Sequence, residues 1–432
     1  MSQTAAALTL TGVLPWQMPA GEIGVAFGGE YRLEQAFQIT PDIRARNTGW
    51  GVGNVQNFKA HNHVEEGFLE ADIPLLKDMV VQSLSLNLGG RLTSYSNSGL
   101  VETWKVGLTG QVTDEFRVRG TLSYDIRAPN LWDLYTPGGT GGNTCQPFVP
   151  RPGVGPNPCF NVTGGNPNLQ PERANTASAG VIFTPNWLPG LTTSLDWYQI
   201  HLHGGIITTN QNTILTQCRA GNQSYCGQIQ FSTPGDTLSP IAFIFATRVN
   251  AALISTAGFD FAAAYGFDLF TGSVEVFFNG NYVYDFSQDQ NGIYFQGAGS
   301  TNSFYSGQAK FQGTLGANYR EGPWTIGAQV RITGESIIDA GTQNRPGLSY
   351  VTPTYTRVNG VDVATVSAGQ RGDGILATNY NAMEMPIDLR VQYRFSNNIT
   401  GFLAVDNVQN LPTTDTDNRL RRAYRFGVRF SY

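Results

Sequence analysis

Four cysteines, Cys145, Cys159, Cys218 and Cys226, and two pairs of alternate histidines, His61 with His63 and His201 with His203, are the side chains of this sequence best suited to chemistry by type and spacing. All four cysteines lie in long polar segments. Several pairings are open to them, and joining neighbours, Cys145 to Cys159 and Cys218 to Cys226, is the simplest. Staples within loops imply an oxidising compartment. Zinc is the rival reading, and the sequence lacks the paired short Cys-x-x-Cys arms that such a site uses. Alternate positions on a strand share a face, so each histidine pair offers two nitrogens to a metal. Two ligands leave a site incomplete and no carboxylate follows at a useful spacing, so ordinary polar residues are expected there.

Other chemical signals are weaker. The glycines from Gly138 to Gly142 are not followed by Gly-Lys-Ser or Gly-Lys-Thr and an opening helix, so they predict a flexible loop rather than a phosphate cradle. Asn161-Val162-Thr163 matches a glycosylation acceptor and Arg371-Gly372-Asp373 an adhesion tripeptide, both short enough to arise by chance. There is no Gly-x-Ser-x-Gly, and no Ser, His and Asp set or pair of carboxylates stands out, so neither an enzyme nor a cofactor is expected. A formal net charge of -5 without a basic stripe argues against a nucleic-acid partner.

The elements that must hold these residues are extended. In the last stretch Tyr432, Phe430, Val428, Phe426 and Tyr424 fall on one side of a strand, and Ser431, Arg429, Gly427 and Arg425 on the other. Aromatics at both ends of an apolar row, opposite arginines, fit two membrane interfaces and a wet lumen. Charged residues make up only 14% of the 432 and aromatics 12%, yet no apolar run approaches the length of a membrane helix. The longest candidate, around Pro240 to Ala246, is far too short. Low charge with many aromatics and glycines is what alternating lipid-facing and lumen-facing residues produce.

The same alternation predicts strands near Ala6 to Pro15, Gly21 to Arg32, Ala60 to Asp72, Val80 to Thr93, Val101 to Gln111, Phe116 to Arg127, Arg173 to Thr184 and Gly190 to His203. Further strands are predicted near Ala251 to Phe267, Gly272 to Phe286, Tyr305 to Arg320, Trp324 to Ile338, Met383 to Phe395, Asn398 to Val408 and Leu420 to Tyr432. That gives roughly fifteen crossings, each about long enough to span a bilayer at a tilt. In the tenth, Val274, Val276, Phe278, Gly280, Tyr282, Tyr284 and Phe286 oppose Glu275, Asn279, Asn281 and Asp285. Tight turns such as Val112 to Glu115 and Glu321 to Pro323 alternate with long connections such as Thr136 to Glu172, Gly204 to Asn250 and Asp339 to Ala382. In a meander this gathers short turns at one end and long loops at the other, placing both cysteine pairs on the outer side and the C-terminus on the periplasmic side. The first ten residues do not read as a signal peptide.

With the strands placed, three stretches resemble the C-terminal barrel region of TonB-dependent outer-membrane receptors: Arg127-Ala128-Pro129-Asn130-Leu131 running on to Leu134-Tyr135, Gly165-Asn166-Pro167-Asn168-Leu169-Gln170-Pro171-Glu172, and Val405-Asp406-Asn407-Val408 through Leu411 to the terminal strand. The resemblance covers essentially the whole chain, residues 1–432. It implies an all-β, antiparallel transmembrane barrel of about 22 strands in the bacterial outer membrane, with short periplasmic turns and long extracellular loops. It further implies an N-terminal plug and uptake of a scarce ligand such as a ferric siderophore, a cobalamin or an oligosaccharide, energised through TonB, which grips a box before the plug. Neither that box nor a plug is recognisable in this sequence, so the expectation is the C-terminal part of such a receptor, embedded in outer-membrane lipid. A passive porin or structural barrel is the alternative. Ligand contacts are expected from outer-loop aromatics and amides, with Trp132, Tyr135, Asn143 and Tyr225 as candidates, and Arg127 with Asp133 as an ion pair at the rim.

Overall fold

Alternating apolar and polar residues give strands wherever the pattern is sustained, because each face of a sheet then meets one kind of surroundings. The computed structural model describes residues 1–39, 57–290, 293–300, 307–337, 354–358, 361–365, 381–411 and 421–431. The tripeptide Arg371-Gly372-Asp373 and the final Tyr432 lie outside the described residues.

Strands β1 (Ser2–Met18), β2 (Gly21–Gln38), β3 (Phe58–Lys77), β4 (Ser83–Tyr95), β5 (Gly99–Gln111) and β6 (Phe116–Arg127) form an antiparallel meander. Helix α1 (Leu131–Tyr135) and the hairpin β7 (Gly139–Cys145) and β8 (Asn157–Gly164) follow. The chain then returns as β9 (Glu172–Phe183), paired with β6, and β10 (Leu191–Thr208). Helices α2 (Gln211–Arg219) and α3 (Gln223–Cys226) and the short β11 (Ile229–Phe231) precede β12 (Ile241–Leu269). The sheet continues through β13 (Gly272–Gln290), with β14 (Ile293–Gln296) at its end, to β15 (Phe311–Glu321) and β16 (Trp324–Thr333). A separate hairpin, β17 (Thr354–Val358) and β18 (Val361–Thr365), comes before the closing β19 (Ile387–Ser396), β20 (Ile399–Asp406) and β21 (Ala423–Phe430). Of the nineteen strands in the main sheet, β7, β8, β11 and β14 stand apart from the wall, which leaves fifteen within it. Among the described residues β1 and β21 each pair along one side only.

Register aligns the faces across the whole wall. Tyr424, Val405, Leu389, Ala328, Ala317, Val276 and Tyr265 form one row, and Leu10, Phe27, Leu69, Gly90, Trp104 and Tyr124 another. Among the described residues nothing covers this face: Phe426 is 85% exposed and Leu8 67%. Such exposure opposes folding in water and is the favoured state against hydrocarbon, so this is the outer face of a barrel. The opposite face is held by ion pairs between strands, some adjacent and one spanning β9. Arg119 grips Asp196 with two bonds of 2.7 and 2.6 Å, Arg91 reaches Glu66 at 2.9 Å and Arg331 reaches Asp388 at 2.8 Å. Exposed Trp16, Trp187 and Phe270 mark the short-turn rim, where amphipathic rings suit a membrane interface.

One face assignment is corrected. A bulge in the β12–β13 pairing places Asp285 opposite Ala257 and Val283 opposite Gly258, so Tyr284 is the extra residue. Beyond it Asp285 and Ser287 take the outer side and Phe286 turns inward, against the strict alternation of the sequence. Below the bulge the Trp197 indole donates to the Tyr284 hydroxyl at 3.0 Å. Above it His201 Nδ1 lies 3.0 Å from Ser255 Oγ, and Ser255 donates to Asp285 at 3.1 Å. The long connections are also less irregular than expected, since they carry β7, β8, β11, three short helices and the first part of the 29-residue β12.

Candidate functional site

At the outer end of β6 the chain builds a charged knot. Pro129 interrupts the strand, and Asn130 starts α1 with a capping box: its side chain accepts from the Asp133 N–H at 2.8 Å, and Asp133 accepts from the Asn130 N–H at 3.1 Å. Leu131 and Leu134 are buried, pulling Asp133 in with them until it is 2% exposed. A carboxylate there needs partners, and it takes Arg248 on one oxygen and Arg127 at 3.5 Å on the other. Glu172, at the start of β9, accepts both Arg127 Nε and Nη2, the latter at 2.8 Å, and the Ile206 N–H at 2.6 Å. Burial pushes the Glu172 carboxyl up, but the Arg127 bonds and the Ile206 N–H outweigh it and hold it below the usual carboxylate range.

The segment from Gly165 to Leu169 closes this knot. Asn166 donates to the Arg248 carbonyl at 2.9 Å, and its own N–H reaches the Asp133 carbonyl at 2.9 Å. Gly165 lies so close to α1 that a Cβ would sit 2.6 Å from the Leu134 carbonyl carbon. Two of the motif stretches, well apart in sequence, are therefore one piece of structure.

Above the knot stands a folded cap. β8 pairs with β7 on one side and, in parallel, with the start of β12 on the other, and β11 pairs with β12 beyond. Ile229, Ile241, Ile244 and Ala246 from this small sheet pack with Ile214, Leu215 and Tyr225 of α2 and α3 into a buried cluster. Both disulfides, Cys145–Cys159 and Cys218–Cys226, lie in it, with Cα separations of 5.7 and 4.8 Å. The neighbouring pairing read from sequence is the one observed. The other face of the sheet presents Phe160, Phe243 and Phe245, stacked with centroids 5.4 and 6.4 Å apart. That face is a flat apolar shelf.

The family model described as TonB dependent receptor-like, beta-barrel matches residues 2–408. The chain belongs to that family. It is a family of outer-membrane receptors and transporters, not of enzymes. Among solved structures, the siderophore receptor PirA from Acinetobacter baumannii matches with a TM-score of 0.62 and 14% identity over 100% of this chain and 55% of that one. A ferric enterobactin receptor mutant from Pseudomonas aeruginosa, in complex with enterobactin, gives the same TM-score of 0.62, 14% identity and the same coverage of 100% and 55%. The FpvAI–pyocin S2 complex matches with a TM-score of 0.53 and 13% identity over 99% of this chain and 49% of that one. The TonB-dependent receptor-like chain thus spans about half the length of the solved structures it matches. No curated protein sequence matches it.

Within this receptor-like barrel the four candidate contact residues fall into two groups. Trp132 and Tyr135 share α1: Trp132 is 40% exposed and meets Phe58 edge-on at 5.1 Å, and Tyr135 packs against Ala36, Phe58, Ala60 and Leu131. Asn143 and Tyr225 belong to the cap, Asn143 exposed on β7 and Tyr225 only 2% exposed in the buried cluster. Of the glycines expected as a flexible loop, Gly139, Gly141 and Gly142 belong to β7 and pair in register with β8. His63 stacks on Tyr31, with ring centroids 6.5 Å apart. Sequence reasoning missed Glu172 and Arg248 as partners of the rim ion pair, the Phe160, Phe243 and Phe245 shelf, and the His201, Ser255, Asp285 chain. In that chain the serine proton points to the carboxylate and not to the imidazole, which is not the wiring of an activated nucleophile. Alternation of Phe243 and Phe245 with Ile244 is the one signal that was present, hidden in a segment read as a loop.

Proposed function

We propose that this chain forms the wall and extracellular cap of an outer-membrane receptor that takes up a scarce ligand of the siderophore class, with energy drawn from TonB. The carrying observation is the rim knot: Asp133, Arg127, Glu172 and Arg248 fix a folded cap to a wall whose inner face is polar. Ligand contacts in this reading come from the exposed cap and rim, with Trp132 and Asn143 at the surface, Tyr135 packed on the cluster whose Phe58 meets Trp132, and Tyr225 holding the cap in shape. Siderophore receptors among the structural neighbours support the ligand class.

The test is uptake of radioactive iron, supplied on a panel of ferric siderophores, by cells with and without the protein and with and without TonB. Uptake that needs both is the expected result. Uptake of small solutes that needs the protein but not TonB would replace this reading with a passive pore.

A further inference from the structure

Alternation of apolar and polar residues decides which face of a strand meets lipid, but a slip of two residues leaves both faces as they were. Where a tight turn joins two strands, the turn itself sets the register. The wall has such turns between β1 and β2, β12 and β13, β15 and β16, and β19 and β20. It has none between β2 and β3, β10 and β12, β13 and β15, or β20 and β21, which are joined through residues 39–57, 209–240, 291–310 and 407–422. Each of these four pairs carries, on the polar face, an aromatic ring directly opposite a glycine: Phe68 with Gly28, Tyr198 with Gly258, Phe277 with Gly316 and Phe402 with Gly427.

Every one of these rings rests against its glycine. A Cβ would fall 2.9 Å from the Phe68 ring at Gly28, 2.9 Å from the Tyr198 ring at Gly258, 2.8 Å from the Phe402 ring at Gly427, and closer still to Phe277 at Gly316. Glycine alone admits so close an approach. A slip of two residues would set each ring against a side chain: Ala26 or Glu30 for Phe68, Thr256 or Asp260 for Tyr198, Thr314 or Asn318 for Phe277, and Arg425 or Arg429 for Phe402. The two other pairs with long connections are clamped by charge, β6 to β9 by Arg127 on Glu172, and β16 to β19 by Arg331 and Gln329 on Asp388. Elsewhere on this face Tyr95 meets Gly99 across a tight hairpin and leaves that position open, and Phe58 and Phe286 lie opposite Gln38 and Thr256 towards the outer end of the wall.

We propose that the four ring-on-glycine contacts are register keys, which select one strand pairing wherever the connection is too long for a turn to do so. The test is assembly of the full chain into outer membranes, read as heat-modifiable barrel on gels, with register read by cysteine cross-linking. At Gly316 and Gly427 the ring is the sole close neighbour. Gly316→Ala and Gly427→Ala should each lower the assembled fraction by about tenfold. Gly107→Ala, in a pair set by a tight turn and with only ordinary contacts around a Cβ, should leave it unchanged. Removing the ring should relieve the loss, so that Gly316→Ala with Phe277→Ala, and Gly427→Ala with Phe402→Ala, assemble as the phenylalanine variants alone do. Asn279→Cys with Thr314→Cys, opposite one another in the seated register, should cross-link in otherwise wild-type protein. In Gly316→Ala that bond should give way to Asn279→Cys with Gln312→Cys, or Asn281→Cys with Thr314→Cys, pairs that meet only after a slip of two. Full assembly of both glycine variants, a loss that ring removal does not relieve, or an unmoved cross-link in the Gly316→Ala barrel would overturn the keys.

Discussion

The wall and the cap solve the problem of a stable structure in opposite ways. In the wall the large apolar side chains are exposed, Phe426 at 85% and Leu69 at 60%, and its inner face is held by ion pairs between strands. In the cap Ile214 and Ile244 are at 0%, and two disulfides sit in the same buried cluster. The wall relies on a solvent that accepts greasy surface, and the cap, in water, must bury its own. A cap of that size has too little core to stand alone, which is where cross-links contribute most.

If the two regions are independent in this way, their failures should separate. The largest effect is expected from Val428→Arg or Val391→Arg, which put a cation on the outer face at a cost of about 2–4 kcal/mol. Loss of heat-modifiable barrel on gels is the readout, with Arg390→Ala keeping it. Next, Cys145→Ser with Cys159→Ser should loosen the cap by about 3 kcal/mol. Hydrogen exchange should rise over β7, β8 and α2 and stay unchanged in β19 to β21. A rise in both regions would join what the structure separates.

Glu172→Gln at the knot between them should cost about 1–2 kcal/mol, discounted because its partner Arg127 is 51% exposed. Its folded carboxyl is held below the ordinary range, so its contribution is fully present above that range and is lost as pH falls through the lowered value. Cap protection measured down an acid titration should therefore fall in the wild type and stay flat in the variant. The smallest effect is expected from Phe160→Ala on the open shelf, within about 0.5 kcal/mol. A greater loss of cap stability would mean that the shelf is covered.

The wall was legible because a period of two is imposed along its whole length by two different surroundings. In β6, Phe116, Val118, Leu122 and Tyr124 needed only to be counted. The bulge was not legible, because an extra residue at Tyr284 changes the face of Asp285 and Phe286 without changing composition. The cap reads as loops in the sequence for a related reason. Its elements are short, β11 at 3 residues and α3 at 4, and they gain stability only from one another and from the disulfides. Arg127 with Asp133 was recoverable from proximity in sequence. Arg248, 115 residues from Asp133, was not.

The β12–β13 bulge also draws a waterline. Below it, on the outward side, the Trp197 to Tyr284 bond is of the kind that settles where acyl chains end and head groups begin. Directly above it stand an imidazole, a hydroxyl and a carboxylate that no oil would shelter. If the head-group boundary falls at this misplaced tyrosine, a spin label moved from position 199 to position 195 should pass from water into lipid.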